Sequence, residues 1–125
     1  MQESQTGPKA LRPTHGGVAL IQLADEISRL RQKLESSKEA RQAASLVKDY
    51  GLNVMLMLLK KGARLHEHRT KGPLTLQVVS GTVLFVGANA HNELAAGTIL
   101  AVDRDVPHSV EAREESVLLL TTALG

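Results

Sequence analysis

Three histidines set among short apolar runs constrain this chain more than any other feature. His66 and His68 are one residue apart, and His108 lies far downstream, directly after Pro107. Between them sit Gly72, Gly81, Gly87 and Gly97, which break up apolar stretches that read as strands. Along a strand, residues i and i+2 share a face and lie roughly 6.6 Å apart. Two imidazoles so placed can converge on one ion, and a third from a distant strand completes a triangle of ligands. The pattern predicts a divalent metal held inside a small β-barrel by His66, His68 and His108. Three imidazoles suit Fe, Zn, Ni, Mn or Cu, and the donor set does not separate these.

The bulk of the sequence narrows the alternatives. A length of 125 residues suits one domain, and 42% hydrophobic content supports a packed core. There is no cysteine, so thiolate ligands and disulfides are excluded. A metal here must use imidazole, carboxylate or water. The lack of cysteine fits a cytoplasmic location. Acids and bases are interleaved to a formal net charge of +2, with one Tyr, one Phe and no Trp. Neither a basic stripe nor a stacking platform results, so nucleic acid is not an expected partner. No apolar run reaches the length of a membrane span, and no secretory signal is evident behind Lys9 and Arg12.

Residues 1–17 are polar and rich in glycine and proline, and read as a flexible tail carrying His15. Residues 18–42 read as a helix and a connection. Leu20, Leu23, Ile27, Leu30 and Leu34 follow helical spacing, which predicts a helix from about Val18 to about Ser36. Residues 43–125 read as the barrel. Strands are expected at Ala44 to Lys48, Leu52 to Leu59, Leu74 to Ser80, Thr82 to Gly87, Thr98 to Val102, Ser109 to Ala112 and Ser116 to Thr122. Tyr50-Gly51 reads as a tight turn. Ala88 to Asn92 reads as a hairpin turn with His91 at its solvated tip. The run from Leu52 to Leu59 is apolar on both faces. One face suits the barrel interior, and the other needs the helix, a second sheet or a partner subunit. A homodimer is therefore expected.

Two stretches resemble the paired motifs of cupins. Gly62-Ala-Arg-Leu-His66-Glu-His68, followed by Gly72 to Gly81, is similar to the first. Gly97 through Pro107-His108 is similar to the second. The resemblance spans about Ala43 to Leu124, and it implies an all-β fold, a double-stranded β-helix of jelly-roll type with an N-terminal α-helix. Dimers and an internal metal are common among such small bacterial proteins. Some positions depart from the motifs. Only three residues separate Gly62 from His66, fewer than usual. Leu74 stands where the acidic ligand is usual, Asp103 and Asp105 where proline and glycine are usual, and Ala112 where asparagine is usual. The three histidines carry over, and the carboxylate does not.

Other residues are candidates for the surroundings of such a site. Arg64, Leu74, Leu76, Gln77, Met55 and Met57 are candidate pocket residues. By strand parity Arg64 shares a face with His66 and His68, and Glu67 points the other way. Gln77 falls opposite the leucines of its strand, where it would make an inter-strand or subunit hydrogen bond. With the register shifted by one it would become a neutral oxygen ligand. Asp103, Arg104 and Asp105 form a charged loop ahead of Pro107. Two functions are compatible with these residues. One is a metal-dependent dioxygenase or isomerase acting on a small organic molecule, in keeping with the cupin resemblance. The other is a non-catalytic barrel that binds a metal or small ligand for sensing or regulation. No general acid or base is evident beside the histidines, since Tyr50 falls in a turn.

Overall fold

The computed structural model describes residues 17–123. The expected tail, apart from Gly17, lies outside these residues, as does His15. One helix, α1 (Leu23–Glu35), precedes nine strands. These are β1 (Arg41–Lys48), β2 (Leu52–Leu59), β3 (Arg64–His68), β4 (Leu74–Ser80), β5 (Thr82–Gly87), β6 (Ala90–Ala95), β7 (Ile99–Val102), β8 (His108–Ala112) and β9 (Ser116–Ala123). They form two antiparallel sheets, ordered β1-β2-β9-β4-β7 and β3-β8-β5-β6. The sheets face each other as a jelly-roll sandwich and are not closed into a barrel by hydrogen bonds.

Alternation decides what each sheet buries. Leu74, Leu76 and Val78 of β4 point inward, with Val83 and Phe85 of β5 and Val110 and Ala112 of β8. Leu59 and Leu118 join them, so the space between the sheets is lined by buried apolar side chains. On the other face of the larger sheet, Leu56, Leu58 and Val117 form a second cluster with Leu46, Leu30 and Leu34. The helix therefore supplies the cover that the doubly apolar β2 requires.

The helix is shorter than its sequence pattern predicts. It starts at Leu23, where the amides of Asp25 and Glu26 donate to the Gln22 carbonyl. The packed stripe is Leu23, Ile27, Leu30 and Leu34, and Leu20 falls outside it. Val18 and Leu20 remain 95% and 79% exposed. Residues without a surface to pack on gain little from helix formation.

Strand β6 was not expected. Ala88 and Asn89 take φ values of 49° and 63°, as the centre of a type I′ turn requires. The chain then returns along β5, with Val83 opposite Leu94 and Val86 opposite His91. His91 is thus a strand residue and not a turn tip. Ala-His-Asn-Glu-Leu-Ala has weak strand propensity, and the hairpin pairing and the buried Leu94 override it. At Gly81, φ is +88°, and an added Cβ would overlap Ser116 Oγ and the Glu115 carbonyl. Glycine is needed there for both reasons.

Candidate metal and ligand site

The site is built where β3 pairs with β8. Arg64 lies opposite Glu111 and Leu65 opposite Val110, but the register then shifts, so that His68 lies opposite His108. The extra residue is a β-bulge in β3. It breaks the alternation that parity assumes, and His66 and His68 fall on opposite faces. Leu65 is buried in the sandwich, whereas His66 and Glu67 line a groove on the outer face with Val86, His91 and Glu111. Arg64 is also outside, 3.4 Å from Glu111. Strand spacing therefore brings together two of the three expected ligands, His68 and His108, and not His66.

His108 is 2% exposed, and its ring lies 4.3 Å, centre to centre, from that of His68 at an interplanar angle of 60°. On its other side it stacks on Phe85 at 5.8 Å and 21°. Gly87 makes room for it. An added Cβ would come 2.9 Å from His108 Cβ and 2.8 Å from the Pro107 carbonyl. Both rings are held alike. His68 Nδ1 lies 3.1 Å from the His66 carbonyl and His108 Nδ1 lies 2.9 Å from the Val106 carbonyl. A carbonyl only accepts, so each Nδ1 donates to it, and Nε2 is the ring nitrogen left to offer a lone pair to a metal. Nε2 of His108 is buried and has no hydrogen-bond partner. Burial pushes the His108 imidazole below its ordinary 6.5. The bond to Val106 opposes this shift, and His68 nearby adds to it.

These features fit a metal anchor. A ligating imidazole typically donates its other nitrogen to a carbonyl, which fixes the tautomer. The set is nevertheless two imidazoles and not three. Among the described residues, no group of three His, Cys, Asp or Glu side chains comes together. Leu74 stays inward in the core, opposite Val102, so no carboxylate arises from β4. Gln77 lies on the other face of β4, opposite Leu119 and Ile99. Leu76 is fully buried, and Met57 packs against the same core. Met55 is half-buried opposite Leu120. The candidate pocket residues thus divide between core, outer groove and helix-side face, and they do not line one cavity.

The loops beside the histidine pair are tied together. The Asp105 amide donates to the Thr70 carbonyl at 2.8 Å, and Thr70 Oγ1 donates to the Gly72 carbonyl at 2.8 Å. Asp105 has φ +62°, so it occupies a left-handed position at the point where the cupin pattern has glycine. Aspartate tolerates that conformation better than most side chains.

No family model matches this sequence, and no curated protein matches it. Solved structures do resemble the fold. A cupin superfamily protein from Desulfitobacterium hafniense superposes with a TM-score of 0.68 at 13% identity, covering 72% of this chain and 83% of that one. An RmlC-like cupin from Shewanella frigidimarina gives 0.65 at 20%, covering 69% and 78%. Salicylate 1,2-dioxygenase from Pseudoaminobacter salicylatoxidans gives 0.66 at 18%, covering 80% of this chain and 31% of that one. At such identities the likeness is one of fold. The chain has the fold of a small single-domain cupin. No helix among the described residues is long and apolar enough to cross a membrane.

Proposed function

We propose that this protein binds a small organic ligand at a divalent metal anchored by Nε2 of His68 and Nε2 of His108. The observation that carries the reading is the buried, unpartnered Nε2 of His108 beside a second imidazole held in the same tautomer. Leaving such an atom unpaired costs roughly 1–3 kcal/mol, a cost that a bound ion removes. A bound divalent ion would supply Lewis acidity and a point of attachment for oxygen donors. Two neutral nitrogens do not choose among Fe, Zn, Ni, Mn and Cu. Turnover, as a dioxygenase or isomerase, is a second reading. The likeness to a dioxygenase supports it.

Metal content of the native-purified, untagged protein tests the proposal. Near-stoichiometric metal that is lost in His68→Ala and in His108→Ala, but kept in His66→Ala, is the expected result. Protein that stays metal-free after reconstitution would overturn it. Loss in His66→Ala as well would replace the two-imidazole site by a three-imidazole one.

A further inference from the structure

Among the described residues, the buried side-chain polar atoms without a hydrogen-bond partner are Arg29 Nε, Asn53 Oδ1 and His108 Nε2. Arg29 lies on the helix, where its guanidinium also meets Glu26. The other two offer lone pairs, and the topology brings them to one place. β2 keeps an unbroken register with β9, so alternation holds along it. Val54, Leu56 and Leu58 belong to the helix-side cluster, whereas Met57 and Leu59 belong to the core between the sheets. Asn53 and Met55 share the face of Leu59 and look toward the smaller sheet.

Asn53 and the histidine pair also lie at the same end of the sandwich. The β2–β3, β4–β5 and β8–β9 links join the sheets at one end, and the β3–β4 and β7–β8 links join them at the other. His68 ends β3 and His108 begins β8, so both lie at the second end. There β2 begins, with Asn53 opposite Thr122 of β9, and Thr122 in turn opposite Leu74 at the start of β4. The sheets are aligned sideways as well. The Arg41 guanidinium donates to the Arg64 carbonyl at 3.0 Å, which sets the β1 edge over the β3 edge. β2, next to β1, then lies over the β3–β8 side of the smaller sheet. Asn53 thus faces His68 and His108 across packed sheets, whose usual separation is roughly 10 Å. This end admits solvent. Asn53, Met55, Leu120 and Thr122 point inward but are only half-buried, whereas Leu59 and Leu118, farther in, are 0% exposed.

We propose that Asn53 Oδ1 positions a small chelating ligand at the histidine-bound metal, and that this ligand carries an N–H or O–H beside the oxygens that meet the metal. The proposal rests on the metal reading above and adds the class of ligand to it. A buried amide oxygen accepts a hydrogen bond and cannot donate one. An N-alkyl or O-alkyl analogue would leave it unpaired, and a site built around a hydrogen bond rejects such analogues more strongly than an apolar wall rejects a misfit. Met55 and Leu120 supply an apolar wall that suits a short aliphatic substituent. Small hydroxy acids and hydroxamic acids combine these features.

The experiment titrates the full chain, loaded with zinc, with acetohydroxamate and with N-methylacetohydroxamate, which offers the same two oxygens without the N–H. Calorimetry gives the affinities, and elemental analysis gives the metal content, for the wild type and Asn53→Leu. The wild type should bind acetohydroxamate on the order of tenfold more tightly than the methylated probe. Asn53→Leu should keep its zinc and lose that preference. Leucine is close to asparagine in shape and needs no partner, so the denaturant midpoint of metal-free Asn53→Leu should not fall below that of the wild type. Failure of loaded wild type to bind either probe, equal affinities for the two, or a preference that survives in Asn53→Leu would overturn the proposal. So would loss of zinc in Asn53→Leu, which would make Asn53 a metal ligand, or a lower midpoint, which would give it a structural role. Wild type that stays metal-free would overturn the metal reading and this proposal together, so metal content tells the two failures apart.

Discussion

His68 and His108 are opposed across the β3–β8 ladder, and each ring donates Nδ1–H to the carbonyl two residues before it. The arrangement fixes both tautomers by local geometry alone. It depends on the bulge in β3, without which His68 would pass opposite a different residue and His66 would take another face. His108 is thereby aimed by the backbone carbonyl of Val106 together with the Phe85 ring it stacks on. That suits a site whose floor, Phe85, is apolar and offers no polar partner.

Stability should fall on acidification in a window set by His108. Its pKa in the folded protein is lowered from 6.5, chiefly by burial, so the unfolded chain binds the proton more readily. The contribution of the neutral ring is fully present above about 6.5 and is lost as pH falls from there through the folded value. Chemical denaturation of metal-free protein across this range should show the slope. The slope should be reduced in His108→Leu, and an unchanged slope would assign the effect elsewhere.

Gly87→Ala should disturb the site from behind. The new Cβ would meet His108 Cβ and the Pro107 carbonyl at under 3.0 Å, and one of these is backbone. The expected cost is about 1–3 kcal/mol of stability, with weaker metal uptake than the wild type. Denaturant midpoints and metal content measured together check this. Undiminished uptake would show that the pair tolerates displacement.

Leu34→Ala should cost about 2–5 kcal/mol, because Leu34 is 1% exposed in the helix-side cluster. The same change at Leu20, which is largely exposed, should be within about 0.5 kcal/mol of the wild type. Paired thermal melts compare them. Equal effects would contradict the helix placement.

Much of the fold is legible in the sequence where glycine or a polar break bounds an apolar run. Leu52–Leu59, Leu74–Ser80 and Thr82–Gly87 are strands over the expected residues. Where the local signal is weak, the structure departs. β6 forms from Ala90–Ala95 because β5 offers it a ladder, and the helix begins at Leu23 because packing starts there. Leu74 and Leu76 do face inward as alternation predicts, and there they join the buried apolar core.

Residue order by itself determined which histidines were available, which positions alternated inward, and that the absence of cysteine excluded thiolate donors to any metal. Tertiary structure alone decided which histidines meet. A bulge is a property of two paired strands, and one inserted residue inverts the facing of everything beyond it. The same holds for exposure along the edges. β7 reads like any short apolar strand, and only the order of strands in the sheet makes its backbone an open edge. Facing and edges arise from pairing, and pairing joins residues that the chain itself keeps far apart.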